Sequence, residues 1–334
     1  LKDENGVAIP DDTRGLDASP AIIESTDHQS KKIVWQWDVQ DQAAVKREDF
    51  LPPMQSFCPV LRVTTGNWQT YSEEVLAVLS EAARGQRTAE RRARDITDGA
   101  KTPEERIVKI RDFVAKNVRA VGPSFDDLPL AAVTPADRTL ADGYGNSADQ
   151  AVLLYAMLKA VGLKPEFVLV SYDSQVDPLQ RFDRWYPAAN TFEDVLVRVR
   201  SGATDIYLND TSQYAVLGTT PADGHLGLAL ARGKTEVITA APDKRDLRQY
   251  EYVLTLDEQG DARIAAARKN YGESFAVRNR MFAEMPPEER NRFYQELVAE
   301  ISQAAVADSN LVTCLLYTSP SPRDRTRYRM PSSA

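Results

Sequence analysis

The run from Ala148 to Val161 is apolar almost all the way round a helical wheel, and this limits the architectures open to the chain. A helix without a polar face has to lie inside a fold, covered on every side by other elements. Gly162 and Pro165 stop it. It is entered from a polar corner, Asp142-Gly143-Tyr144-Gly145-Asn146-Ser147, in which Ser147 followed three residues later by Gln150 predicts a capping box. A helix start also concentrates unpaired N–H groups and positive dipole, so such a corner can seat a nucleophile or an anion.

The neighbouring segments supply the cover. Three strand patterns follow the helix: "EFVLVSY" from Glu166, "DVLVRVR" from Asp194 and "DIYLND" from Asp205. Before it, Thr102-Pro103-Glu104-Glu105 combines an N-cap, a proline in the first turn and a capping-box glutamate. Ile107, Ile110, Phe113, Val114 and Val118 form the apolar stripe of the helix that starts there, which Gly122-Pro123 ends. A buried helix followed by an antiparallel sheet makes the class α+β. The long loop predicted over 122–146 is of a length that tends to carry function.

Flanking regions read differently. Ile33, Trp35, Trp37 and Val39 alternate in "KKIVWQWDVQ", and Val60 to Thr65 is a second β-rich run, so residues 1–72 read as the end of a β-sandwich domain, with the tryptophans in its core. Residues 73–100 read as a helical linker, whose Arg84, Arg87, Arg91 and Arg94 form a solvated stripe beside Glu81, Glu90 and Asp95. The central unit spans 101–222. Residues 223–313 begin with strand signals, including a hairpin at "LDEQGDARI" with Gly260 in the turn, and close on a helix from Pro286 to about Ala305. No internal repeat is present.

Composition excludes several functions. At 43% hydrophobic and 27% charged residues, 334 residues belong to a folded chain, and a net charge of -8 disfavours nucleic acid and anionic membrane surfaces, which need a basic footprint. Cys58 and Cys314 are the two cysteines and have no metal-type spacing, so neither metal nor cofactor is expected. No run approaches the roughly 20 apolar residues of a membrane span. The chain opens on Leu1, so a preceding segment is expected. Its other end, "CLLYTSPSPRDRTRYRMPSSA", is too polar to order itself, and its first part resembles a translated sequencing-library adapter. Residues 314–334 are therefore expected to be an artefactual, disordered tail, with the natural sequence breaking off near Thr313.

The order of elements and three short motifs carry a family resemblance over roughly 101–222. The motifs are Gly145-Asn146-Ser147-Ala148-Asp149 at the buried helix, Phe192-Glu193-Asp194 at the second strand and "YLNDT", with Asp210, after the third. They resemble the transglutaminase-like branch of the papain-like superfamily, preceded by the end of a β-sandwich domain of unknown function that often accompanies it in bacterial envelope proteins. The resemblance implies a catalytic Cys at the helix start, a His on the next strand pair and an Asp that orients it. Ser147, Asp194 and Asp210 stand at those positions, so two of the three side chains are replaced. It also implies a periplasmic or envelope location and a peptide, protein or glycan ligand in a cleft between helix and sheet.

Chemistry sets the cost of the replacements. A thiol works there because the dipole and an imidazole lower its pKa. A serine needs a base in hydrogen-bond reach, and Asp194 beside Asp210 is expected to take up a proton rather than withdraw one. The site is therefore expected to be silent in acyl transfer, leaving a module that binds or scaffolds. A rival set, Ser147, Asp210 and His225, has the chain order of an α/β-hydrolase triad, and the corner nearly matches Gly-x-Ser-x-Gly, with Asp149 in place of the second glycine. His28 reads as a surface residue. A third reading is a structural spacer whose cleft is filled by Tyr144 or Trp185.

Overall fold

The structure is a computed structural model that describes residues 11–12, 21–27, 30–37, 46, 48–49, 51, 62–64, 66–172, 183–184, 187–301, 305–307 and 326–330. In chain order its elements are β1 (Asp11–Asp12), β2 (Ala21–Asp27), β3 (Ser30–Gln36), β4 (Arg62–Val63), α1 (Trp68–Ala82), α2 (Arg87–Thr97), α3 (Pro103–Asn117), β5 (Arg119–Ala120), α4 (Ala136–Asp142) and β6 (Tyr144–Gly145). Then come α5 (Ser147–Ala160), β7 (Pro165–Ser171), β8 (Asp194–Ser201), β9 (Thr204–Leu208), β10 (Leu226–Ala229), β11 (Lys234–Val237), β12 (Leu247–Leu256), β13 (Ala262–Tyr271), α6 (Gly272–Glu284), α7 (Pro287–Ala299), β14 (Val306–Ala307) and β15 (Thr326–Met330).

The predicted buried helix is α5. Ala151, Val152, Leu153, Met157 and Leu158 have no accessible surface, so the all-round apolar pattern corresponds to all-round burial. One side of it packs on a five-stranded sheet in the order β11-β10-β7-β8-β9, with every neighbouring pair antiparallel. Helices α1 to α4 cover the rest, and Leu79, Ala93, Ile110 and Thr139 are buried among them. This is the α+β architecture that the sequence predicts. Leu169, Val197, Leu208 and Leu228 turn toward α5 in the main core cluster. Val168, Val170, Leu196, Tyr207 and Ile238 form a second cluster on the far face. Both faces of the central strands are thus covered, which is why "FVLV" in β7 runs without polar interruption.

Several elements differ from expectation. The 73–100 segment is not a linker: Gly85, at φ +68°, breaks it into α1 and α2, and Val75, Leu79, Ala89 and Ala93 belong to the main core. Its arginine stripe pairs as expected at the surface, Arg84 with Glu81 at 3.0 Å and Arg94 with Glu90 at 3.5 Å. The long loop of 122–146 is in fact structured, with two 3-10 turns, α4, and β6 running parallel to β5. Toward the C-terminus, β12 and β13 form the expected hairpin, but two helices follow it, because Met285-Pro286-Pro287 ends α6 and restarts the chain as α7. Among the described N-terminal residues, β2 and β3 pair as a hairpin that includes Trp35. Residues 326–330 run as β15 against β13. The rest of 314–334, Cys58 and His28 lie outside the described residues.

Leu153→Ala should lower unfolding stability by about 2–5 kcal/mol through lost transfer energy and the cavity left. Arg84→Ala, on the exposed stripe, should change it by less than about 0.5 kcal/mol. Urea denaturation of the two variants measures the contrast.

Candidate active site

The polar corner is built by a cap one residue earlier than predicted. Asn146 has extended backbone angles, φ -78° and ψ -178°, and its side chain accepts from the Asp149 amide at 3.0 Å. The Asp149 carboxylate accepts in return from the Asn146 amide at 3.1 Å, and its other oxygen accepts from the Thr134 amide at 2.7 Å. The capping box is therefore Asn146/Asp149 and not Ser147/Gln150: Ser147 is already the first helical residue, so its hydroxyl is aimed away from the cap. Gly145 is required beside it, since a Cβ there would stand 2.8 Å from the Asp149 Cβ.

Freed from capping, the Ser147 hydroxyl reaches the sheet. Its oxygen accepts from the Val195 amide at 3.4 Å, and the Asp194 carboxylate lies close by. Burial raises the Asp194 pKa, the Ser147 hydroxyl lowers it in part, and nearby Asp126 raises it further. Asp210 lies two residues past the end of β9. The residue keeps some exposure, but its carboxylate is enclosed: Oδ2 accepts from the Thr220 hydroxyl, and Oδ1 is buried without a partner. Burial above all pushes its pKa up to about 7; the Thr220 hydroxyl and backbone amides oppose this, and Glu273 adds to it. Desolvation of the carboxylate leads this shift, and the nearby Glu273 charge adds to it.

All four strand ends at this site point the same way. The registers pair Asp194 with Val170 and Leu226 with Ser171, so the starts of β8 and β10 lie beside the end of β7, with Asn209 and Asp210 following β9 there. Tyr172, next after β7, has its phenol pKa raised by burial and then by Asp210, Asp194, Glu193 and Glu273. His225 packs edge-on against the Tyr172 ring at 5.4 Å, and its Nδ1 is buried without a hydrogen-bond partner. Neither Ser147 nor Asp210 bonds His225, so the rival triad is gathered at one end of the sheet but not joined.

Sequence reasoning missed two supports. Asn209, at φ 89°, donates from Nδ2 to the Ser147 carbonyl at 2.8 Å and to the Val195 carbonyl at 2.7 Å, tying α5 to β8. Its signal was its type, since asparagine tolerates the left-handed region better than other residues with a Cβ. The other support is α1. The Trp68 ring lies 5.2 Å from Phe192, and its indole N–H donates to the Asp183 and Arg184 carbonyls, each at 3.1 Å. Glu193 is held from both sides, its amide on the Val170 carbonyl at 3.0 Å and its own carbonyl accepting from the Phe125 amide at 2.7 Å. Asp194 is thus carried on a pinned tripeptide.

Two cavities, of about 320 and 300 Å³, lie elsewhere: one beside Arg198 on the far face of the sheet, the other on β12 and β13. Tyr144 is 56% exposed and does not fill a cleft, while Trp185 lies outside the described residues. Among the described residues no three His, Cys, Asp or Glu side chains are grouped to hold a metal, and no helix is long and apolar enough to cross a membrane.

A buried helix whose first residue faces the matched ends of an antiparallel sheet defines a papain-like α+β domain. More narrowly, residues 90–193 match the model of the transglutaminase-like superfamily, and the chain contains a transglutaminase-like domain. The match begins inside α2 and ends one residue before Asp194. A crystal structure of a protein from Parabacteroides distasonis, described as a candidate protease, has the same fold with a TM-score of 0.51; it is 14% identical, over 80% of this chain and 68% of that one. No curated protein sequence matches the chain.

Asp149→Ala should cost about 2–3 kcal/mol, because it strands the Asn146 and Thr134 amides and removes the reciprocal cap. Ser147→Ala should cost about 1 kcal/mol or less. Thermal unfolding of both variants tests the reassigned cap, and a larger loss for Ser147→Ala would reverse it.

Proposed function

We propose that this chain is a non-catalytic transglutaminase-like module that binds or scaffolds a peptide or glycan segment, with Ser147, Asp194 and Asp210 standing where active relatives carry Cys, His and Asp. The observation that carries this reading is the bonding of Ser147. Its oxygen accepts from the Val195 amide, the Asp194 carboxylate lies close by, and no imidazole is bonded to it.

Acyl transfer by a serine needs a base that takes the hydroxyl proton and later delivers it to the leaving group. Asp194 is placed for the first task, but a carboxylate even with a raised pKa holds the transferred proton weakly. A Cys-His pair avoids the difficulty by storing thiolate and imidazolium together at the helix start. Asp210, in the orienting position, has an oxygen with nothing to orient. The envelope location and the peptide, protein or glycan ligand belong to the same reading and rest on the family resemblance.

The test restores what is missing. Ser147→Cys alone should react slowly with iodoacetamide at neutral pH, because no base stabilises the thiolate. Ser147→Cys with Asp194→His should react at least tenfold faster, the imidazolium and helix dipole lowering the thiol pKa together. Equal rates would show that Asp194 does not occupy the histidine position. Hydrolase or transamidase activity of the unmodified protein, lost in Ser147→Ala, would overturn the non-catalytic reading.

A further inference from the structure

Strand β12 is amphipathic, and most of its apolar face is open. Residues Leu247 to Leu256 alternate so that Tyr250, Tyr252, Leu254 and Leu256 share one face, while Gln249, Glu251 and Thr255 share the other. The register with β13 sets Tyr252 opposite Ala266 and Leu254 opposite Ile264. On β13 that face is covered, since Ile264 and Ala266 are buried in a cluster with Val298 of α7. On β12 the cover is thin: Arg248 Nε donates to Ser274 Oγ of α6 at 2.6 Å, and the Arg268 guanidinium lies over the Tyr250 ring, 5.7 Å from its centre. Beyond them Tyr252 is 47%, Leu254 62% and Leu256 71% exposed.

The edge of the strand is open as well. Among the described residues the sheet runs in the order β12-β13-β15-β14, so β12 is paired on one side only, and its pairing with β13 is unbroken from Leu247 to Leu256. Edge strands are commonly protected from other strands by a lysine, a proline, a bulge or shortness. β12 has none of these. An alternating apolar edge about 30 Å long is a template for another strand.

We propose that β12 pairs with β12 of a second copy, antiparallel about a two-fold axis through Tyr252, and so joins two sheets into one. The sequence of the strand selects both the partner and the register. Two copies of one strand related by a two-fold axis perpendicular to the sheet are centred on a residue, and centring on Glu251 would set two carboxylates face to face. Centring on Val253 shortens the seam to residues 250–256. Centred on Tyr252, the seam runs over 248–256: Tyr250 meets Leu254 and Tyr252 meets its own copy on the apolar face, while Gln249 meets Thr255 and Glu251 meets Val253 on the other. It carries one arginine and one glutamate per copy, so the net charge of -8 is not concentrated there. A seam of this length covers on the order of 1,000 Å² in all, the low end of specific interfaces, and the dimer is accordingly weak, with a Kd of about 10–100 µM. It does not depend on whether Ser147 is catalytic.

Sedimentation velocity of the full chain, from about 1 to 300 µM, should show a reversible equilibrium of monomer and dimer. Tyr252→Lys, which sets two ammonium groups opposite each other on the axis, should weaken the dimer about tenfold. Val277→Lys, at an exposed apolar position of α6, should leave it within about twofold. Disulfide formation reads the register: in a chain carrying Cys58→Ser and Cys314→Ser, Tyr252→Cys should link copies several times faster under mild oxidation than Glu251→Cys, because position 252 faces its own copy and position 251 does not. A chain that is monomeric at 300 µM, a dimer indifferent to Tyr252→Lys, equal linking at the two positions, or larger open assemblies would each overturn the seam. So would an edge occupied by added extended peptides and not by a second copy. Should Tyr252→Lys fail to fold, the two cysteine variants decide the question.

Discussion

The structure depends on burying a helix without burying its unpaired ends. α5 is covered on all sides, so its first-turn amides cannot turn to water. The Asn146/Asp149 pair resolves this locally, and the second Asp149 oxygen extends the solution by fixing Thr134 at the approach to α4. Because those bonds complete the cap, the first helical residue is released to face the sheet. The close approach of Gly145 to Asp149 leaves no room for any side chain at that turn.

From this one arrangement the site follows. Ser147 Oγ accepts from the Val195 amide, Asn209 ties the Ser147 and Val195 carbonyls together, and Trp68 and Phe192 pin the strand start from the helical side. The geometry of a reaction centre is thus kept while its charges are not balanced. Asp194, Asp210, Glu273 and Tyr172 all have pKa values displaced toward the protonated form, and burial leads the causes each time. The imidazole at this end of the sheet, His225, packs on the Tyr172 ring instead of bonding Ser147 or Asp210.

The opposite face of the sheet shows the contrasting case. Arg198 has a side chain only 4% exposed, yet Glu166 and Glu236 bond it directly and Asp205 lies at 3.8 Å. Burial alone would lower its pKa, but these partners raise it instead. The same sheet therefore carries a fully paired charge on one side and unpaired carboxyl groups at its end, which sets the end apart as the place where protonation matters.

Legibility divided along physical lines. Helix α5, strands β7 to β9, the Thr102 start of α3 and the β12–β13 hairpin were readable because periodicity, caps and turn residues are local signals. Ser147, Asp194 and Asp210 were singled out from their order along the chain, and the structure places all three at one end of the sheet. What the sequence left open was everything set by distant neighbours. The cap moved from Ser147 to Asn146 because Thr134 and Val195 compete for the groups of the corner. The supposed linker became core because α5 has no exposed face and needs α1 and α2 to cover it. The Asp210 pKa is raised because the fold buries its carboxylate and brings Glu273, sixty-three positions away, near it. By itself the sequence determined the elements that carry strong local signals and which side chains are polar among apolar ones. Only the tertiary structure decided which of those polar groups find partners, because desolvation and pairing depend on atoms that the fold alone brings together.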